Sequence, residues 1–312
     1  MAVTAGMVKE LREMTGAGMM DCKKALTATD GDMDKAVEWL REKGLATAQK
    51  KAGRIAAEGM AKVLVSEDGK SAVAVEVNSE TDFVAKNEKF QDYVSQVAEQ
   101  AMETQAPNID AFLAEPWKFD TSKTVKEALA GMIAVIGENM NIRRFAQVKE
   151  EAGFVASYTH MGGKIGVLVD VETDVVNDAV KEMAKNVAMQ VAALKPLYTS
   201  DKEVSAEYIE HEKEILLAQI KNDPKESQKP EKVIMGMIQG RVKKELKEIC
   251  LLDQIYVKAE DGKQSVGDYV AQVAKANGAK ITIKGFVRYE TGEGIEKKQE
   301  DFAAEVAAQL GN

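Results

Sequence analysis

The sequence predicts an α+β protein built from several pieces. These are a small N-terminal helical module, two related antiparallel-sheet-plus-helix core subdomains, a protruding antiparallel coiled-coil arm and a C-terminal helical module. Three observations lead there. A strand–turn–strand–helix pattern occurs twice in the middle of the chain. Outside it, apolar residues recur at i, i+3, i+4 and i+7, the spacing that lines one face of a helix. Only 5 of the 312 residues are Pro, the residue that breaks helices and is shut out of central strands.

Residues 1–54 read as three short helices and a tether. Met7, Val8, Leu11 and Met14 share one helical face; Met19, Cys22, Ala25 and Leu26 share a second; Met33, Ala36, Val37 and Leu40 share a third. Gly16-Ala17-Gly18 and Asp30-Gly31 break between them. Asp32 is the expected N-cap of the third helix and Gly44 its expected stop. So small a bundle buries little surface, so it is expected to sit on a tether, the stretch AQKKAGR at 48–54.

The body contains an internal repeat. Copy one (58–102, within an expected subdomain 55–149) and copy two (152–194, within an expected subdomain 150–200 plus 262–298) each run strand, Gly-containing turn, strand, helix. The turns Glu67-Asp68-Gly69-Lys70 and Met161-Gly162-Gly163-Lys164 carry hairpin chemistry. Glu80-Thr81-Asp82-Phe83-Val84 lines up with Glu172-Thr173-Asp174-Val175-Val176 at an offset of 92 residues. This segment is expected to end the second strand and open the helix, with Thr or Asp as its cap. A helix over 121–140 and the strand IRRFAQV complete the first unit. An inserted arm over 201–261 follows, with helices at 203–222 and 231–249 around a tip bracketed by Pro224 and Pro230. Met235, Ile238, Val242, Leu246 and Ile249 stripe its second helix at 3/4 spacing. Those seams require cover, and a second copy of the chain is one candidate, through the arm or the core. SVGDYVAQVAKANGA (265–279) reads as a helix, KITIKGFVRYETGEGI (280–295) as strand-like, and 299–312 as a C-terminal amphipathic helix from Phe302 to Leu310.

Composition excludes several functions. Lys+Arg total 42 against 51 Asp+Glu, a net charge of −9, which argues against wrapping nucleic acid on the whole surface. Cys22 and Cys250 are the two cysteines; with no C-x-x-C there is no zinc ribbon or thioredoxin-type pair, and both are expected as buried free thiols. Charges at Lys9, Glu10, Arg12 and Glu13 interrupt any signal-peptide core, and no apolar run is long enough to span a membrane. A cytoplasmic protein without membrane contact is the expectation.

Catalytic constellations are sparse. The two histidines, His160 and His211, lie far apart, no G-x-S-x-G elbow occurs, and Gly162-Gly163-Lys164 lacks the Walker spacing. No metal or cofactor is expected. Two segments stand out instead. Glu76 to Lys86 is dense in polar groups where an apolar strand ends, with Phe83 beside Asp82. The bland reading tucks Phe83 into its own core. The sharper one follows from the repeat, which places Val175 opposite Phe83 and so requires no aromatic there; a Phe at a turn tip suits a wedge into a partner, worth roughly 1.5–3 kcal/mol when buried. Met19-Met20, beside Gly16-Ala17-Gly18, cannot both enter one small core, and exposed Met makes an adaptable contact surface, with Arg12 as a charged rim.

These segments resemble the translation elongation factor Ts family. The stretch Leu11 to Leu26 is similar to that family's N-terminal signature, and Glu76 to Lys86, with Thr81-Asp82-Phe83-Val84 at its centre, to its second. Ile136 to Arg144 and Gly292 to Lys297 add to the match, which runs the whole chain in order. The resemblance implies a ubiquitin-associated-like three-helix domain at the N-terminus, a two-subdomain core, a coiled-coil arm and a C-terminal module. It implies guanine-nucleotide exchange on elongation factor Tu, without substrate chemistry. It also implies that Thr81, Asp82, Phe83 and Val84 enter the partner's GTP-binding domain near its magnesium and phosphate site, with Ile136 and Gly137 on a loop beside them. Arg12, Met19 and Met20 would touch the same domain, and His160 would face the partner's third domain.

Two rivals from other classes remain to be weighed: an enzyme using Asp82 or His160, and an RNA-binding module using the basic residues of 48–54.

Overall fold

A computed structural model describes residues 3–296; the helix expected at 299–312 lies outside them. Helices and antiparallel sheets are mixed, an α+β architecture. Helix α1 (Ala5–Thr15) begins where the Thr4 hydroxyl accepts the Met7 N–H and ends at Gly16, left-handed at φ +67°. Helices α2 (Met19–Ala28) and α3 (Met33–Lys51) follow, and Asp32 caps α3 by accepting the Lys35 N–H at 3.0 Å. Val8, Leu11, Cys22, Ala25, Leu26 and Ala36 close a small core; Met14 stays exposed.

Gly44 does not stop α3. The helix runs on for seven residues to Lys51, although a mid-helix Gly costs about 1 kcal/mol relative to Ala. Packing offsets that cost. Gly44 is buried, and a Cβ there would lie 3.6 Å from the Ala130 carbonyl oxygen, so the absent side chain lets α3 cross close to a core helix. The expected tether is therefore partly helical.

The core starts with strands β1 (Glu58–Val65) and β2 (Ser71–Ser79), a one-turn helix α4 (Asp82–Ala85), helices α5 (Glu88–Glu103) and α6 (Ile109–Ala114), and a short ribbon of β3 (Pro116–Trp117) and β4 (Asp120–Thr124). Helix α7 (Val125–Ile136) and strand β5 (Met140–Lys149) complete the unit. The sheet order is β1-β2-β5, all antiparallel. Val73, Val75 and Val77 of the central strand pack on Phe90, Val94 and Val97 of α5 and on Leu129 and Ile133 of α7.

The second unit repeats the plan with β6 (Gly153–His160), β7 (Ile165–Thr173), α8 (Asp178–Leu194), the arm helices α9 (Ala206–Asn222) and α10 (Glu231–Ile249), then α11 (Val266–Asn277) and β8 (Ile281–Glu290). Its sheet order is β6-β7-β8, again antiparallel. The arm closes its own seam: Ile220, Ile238 and Val242 are buried between α9 and α10, with Leu216, Ile234 and Leu246 around them, while Met235 stays exposed.

The two copies correspond at two different offsets, and neither is 92. Gly59 and Gly153 match, because a Cβ at either would strike a carbonyl oxygen of the central strand, Val77 O at 2.2 Å and Val171 O at 1.9 Å. The register shifts at Glu76/Val77 and at Asp170/Val171. The Ser79 hydroxyl donates to Thr81 O and the Thr173 hydroxyl to Val175 O, both at 3.1 Å. Glu80 accepts the Asn139 N–H and Asp174 the Lys280 N–H. Beyond the strands the correspondence slips: Asn87 caps α5 and Asn177 caps α8, and Phe90, Val94 and Val97 match Val180, Ala184 and Val187. Between strand end and helix cap, copy one holds Thr81–Lys86 where copy two holds only Val175-Val176. The four additional residues contain α4. Phe83 has no counterpart, and Val175 corresponds to Thr81. The Glu-Thr-Asp letters recur in both copies at places that are not equivalent.

The sheets meet over Ala72, Ala74, Val155 and Leu168. At one end of this junction Glu76, fully buried, accepts from Arg143 (3.0 Å), Arg144 (2.6 Å) and the Gly292 N–H (2.8 Å). Burial alone would raise its carboxyl, but the Gly292 N–H, Asn78 and Arg144 outweigh it and hold the group below its usual range. Arg144 also stacks on Tyr289, 4.2 Å from the ring centroid. The equivalent acid of copy two, Asp170, lies beside buried Glu150, which accepts from Lys284 at 3.0 Å. Burial first, and Glu150 next, push Asp170 up to about 6.

Candidate functional site: a braced turn beside the end of α7

The site grows from the four residues by which the copies differ. Thr81 leaves the sheet in extended conformation, and its hydroxyl accepts the Val84 N–H at 3.4 Å, capping α4. One helical turn then divides its side chains. Val84 points inward and joins the core. Phe83 points outward and is 81% exposed, the largest exposure among the large apolar side chains described. The reading that tucks Phe83 into its own core is thereby excluded. Asp82 stands beside it in the first turn and accepts from Lys86 at 2.7 Å. Lys86, and more weakly Lys164, hold the Asp82 carboxyl below its usual range, so it is an anion at neutral pH.

The loop after α7 stands against this turn. Gly137 ends α7 in the left-handed region at φ +87°, Ile136 packs partly into the core, and Gly137 is exposed. Two carboxylates tie loop and turn together. Glu138 accepts from the Thr81 N–H at 3.0 Å and from the Thr81 hydroxyl at 2.7 Å. In the other direction, Glu80 accepts the Asn139 N–H at 2.5 Å. The end of α3 joins in: Lys51 donates to Gly137 O at 2.5 Å, a cation at a helix C-terminus, and Arg54 reaches Glu80 at 3.4 Å. Sequence spacing gives none of Glu80, Glu138, Lys51 and Arg54 a role in bracing the turn; Lys51 and Arg54 enter there only among the basic residues of 48–54. Glu138 lay inside the stretch Ile136 to Arg144, but nothing in its spacing gave it a partner 57 residues away.

The remaining expected residues lie around this centre rather than in it. Met19 and Met20 are both exposed, at 58% and 65%, at the start of α2. Arg12 is exposed one turn before the end of α1. The turn joining α1 and α2 lies against the same C-terminal end of α7, where a Cβ on Gly16 would sit 4.0 Å from the Val135 side chain. Arg41 of α3 pairs with Glu127 of α7 at 2.7 Å and fixes the module to the same helix. His160 ends β6 on the second sheet, where its Nδ1 is 2.9 Å from the Tyr158 hydroxyl. The turn that follows it reaches the first sheet: Lys164 pairs with Glu58 at 3.8 Å, and a Cβ on Gly163 would strike Met60 at 2.8 Å. Exposed Met161 in that turn widens the apolar surface.

Chemically the arrangement offers an aromatic ring and an anion on a hydrogen-bonded turn. Among the described residues, no group of three or more His, Cys, Asp or Glu side chains is placed to hold a metal ion, and no helix is long and apolar enough to cross a membrane. Cys22 and Cys250 are buried free thiols.

The family model described as Elongation factor TS matches residues 80–293. An elongation factor Ts of Clostridium botulinum is 52% identical over 309 residues, 99% of this chain and 99% of that protein. One of Clostridium novyi is 51% identical over 308 residues, with the same shares covered. One of Trichlorobacter lovleyi is 50% identical over 315 residues, covering all of this chain and 99% of its own.

Proposed function

The chain belongs to the elongation factor Ts family of translation elongation factors, and on that premise we propose that it is the guanine-nucleotide exchange factor for elongation factor Tu, with Asp82 and Phe83 as its wedge. The observation that carries this reading is the 81% exposure of Phe83 on a turn held by hydrogen bonds on both sides. Exposing a Phe wastes roughly 1.5–3 kcal/mol of burial, which a partner surface can recover.

The mechanism is linkage. Bound GDP is held by magnesium and by backbone N–H groups on its phosphates. Asp82 and Phe83 enter next to that site, Phe83 displacing apolar packing while the Asp82 anion disfavours the magnesium–phosphate arrangement. Magnesium and then GDP leave. The factor needs only to bind the distorted partner better than the relaxed one, and by reciprocity GDP weakens the factor's binding by the same ratio. Thr81 caps the wedge, Val84 anchors it, and Ile136 and Gly137 line its flank. Arg12, Met19 and Met20 supply a second contact to the GTP-binding domain, and His160 faces the third domain. The factor performs no substrate chemistry and works without a cofactor.

The rivals gain little support. Asp82 pairs with Lys86 and His160 with Tyr158, so the two candidates of the enzyme reading make no hydrogen bond to each other. Of the basic residues in 48–54, Lys51 and Arg54 already serve Gly137 and Glu80.

The test is release of a fluorescent GDP analogue from elongation factor Tu with catalytic amounts of this protein. Phe83→Ala is expected to slow release about ten- to a hundredfold with the melting temperature unchanged. Equal rates for Phe83→Ala and the unaltered protein would sink the wedge.

A further inference from the structure

The repeat contains its own control for the turn. From the C-terminus of the second helix onward the copies again match residue by residue. Gly137 and Gly278 are both left-handed C-caps, Met140 pairs with Ser79, and Ile281 pairs with Thr173. On that correspondence Glu138 matches Ala279 and Asn139 matches Lys280. The Glu80–Asn139 contact is present in both copies, as Asp174–Lys280 in the second. The Glu138–Thr81 pair has no equivalent, because copy two has Ala279 and Val175 there. Where the pair is missing, the segment after the strand stays non-helical until Asn177.

We propose that Glu138 is a positioning residue that acts through the Thr81 hydroxyl to hold the turn in its projecting form before any partner binds; this rests on the exchange reading above. Three observations support it. The Thr81 hydroxyl has one hydrogen and two lone pairs. Donating to Glu138 at 2.7 Å turns its lone pairs toward α4, where one accepts the Val84 N–H. Secondly, α4 is a single turn of four residues, far too short to persist on its own propensity. It hangs between two anchors, Val84 in the core and Glu138 at its cap. Thirdly, Glu138 sits two residues past the C-terminus of α7, where the helix dipole favours a cation and not an acid. Its placement serves the turn at some expense to the helix, and Lys51 offsets that expense at Gly137.

Without the brace, Thr81 would have to be fixed at the moment of docking while Val84 stays anchored in the core, a loss on the order of tenfold. The experiment uses full-length protein as the unaltered chain and as Glu138→Ala, Glu138→Gln, Thr81→Val, the Glu138→Ala/Thr81→Val double variant and Phe83→Ala. Amide hydrogen exchange over 81–86 is read in the free chain, and GDP-analogue release from elongation factor Tu in parallel.

Glu138→Ala is expected to raise amide exchange at Thr81 and Val84 about tenfold or more, to slow release by a similar factor, and to leave the melting temperature in place. Glu138→Gln, which keeps one acceptor, falls between. The double variant should be no slower than Thr81→Val alone, because Glu138 has then lost its target. If Glu138→Ala does not fold, the Gln variant carries both readings. Unchanged amide exchange in both Glu138 variants overturns the proposal, and so does additive loss in the double variant. If Phe83→Ala slows release while the Glu138 variants do not, the brace fails and the wedge stands. If the unaltered protein does not speed release, the exchange reading fails, and the proposed role of Glu138 fails with it.

Discussion

Copy one and copy two are built on the same plan to the level of single hydrogen bonds, and only copy one carries an exposed aromatic ring on an added turn. Both use a hairpin with a close glycine, a bulge after an acidic residue in the central strand, a Ser or Thr hydroxyl on the next-but-one carbonyl, and an Asn-capped helix. Both have a second helix opened by a capping box, Thr124/Glu127 and Ser265/Asp268. Apart from what is inserted between their two helices (α6 and the β3–β4 ribbon in copy one, the arm in copy two), they differ in four residues of loop and in how one acid is treated. Copy one surrounds Glu76 with arginines and a backbone N–H; copy two leaves Asp170 beside another carboxylate. The same unit stands in both places, and the added turn of copy one sends Val84 into the core and leaves Phe83 outside it.

The sharpest way to break this comparison is to make copy one resemble copy two. Deleting Asp82–Ala85 removes the turn and leaves a two-residue link. GDP release is expected to fall about a hundredfold or more, toward the spontaneous rate. Val84 is lost too, so the melting temperature should drop by several degrees; a deletion that keeps half the activity would show that the added residues are not the site.

Next in size is the junction. Glu76→Ala leaves Arg143, Arg144 and the Gly292 N–H without their common acceptor, and breaking a buried pair of this kind costs about 3–5 kcal/mol. Urea unfolding measures it; a cost below about 1 kcal/mol would show that the Glu76 cluster contributes little to holding the two sheets together.

Asp170 should respond in the opposite sense. Its folded pKa lies near 6, above the ordinary 3.8, so the folded chain holds a proton that the unfolded chain releases earlier. The stabilisation is complete below about pH 3.8 and is lost as pH rises to about 6. Asp170→Asn is expected to flatten that part of the profile and to raise the melting temperature above pH 6 by a few degrees. A profile between pH 4 and 6 identical to that of the unaltered chain would refute the assignment.

The smallest effect tests the likeness itself. Thr124→Ala and Ser265→Ala remove matching caps, and each should cost about 1 kcal/mol. A large inequality between them would mean that Arg41, which also holds Glu127, does more for the first helix than the cap does.

Much of this was legible in the chain. The repeat, both hairpin turns, the Asp32 cap, the arm and the prominence of Phe83 follow from spacing and turn chemistry. Three things did not follow, each for a physical reason. Letter similarity aligned Glu80-Thr81-Asp82 with Glu172-Thr173-Asp174, whereas the true register is set by backbone close approach at Gly59 and Gly153 and by the two bulges. Gly44 looked like a helix stop because a stop and a close helix crossing both call for a missing side chain. The arm's seams looked uncovered because no periodicity says which helix will cover another. At the site, Phe83 stood out because it is large and misplaced, whereas Glu138 did not, since an acid in a polar loop is ordinary until its partner is located.

Gly44 sets a dimension. Its Cα faces the Ala130 carbonyl with nothing between, and a methyl group there would just touch. A larger side chain there meets the Ala130 carbonyl and the Gly131 Cα first, so added bulk works against the close approach of α3 and α7. A graded series at this one position, from Ala through Ser and Val to Leu, would therefore widen the α3–α7 spacing step by step, turning the absence of a side chain into a ruler for the distance between the first module and the core.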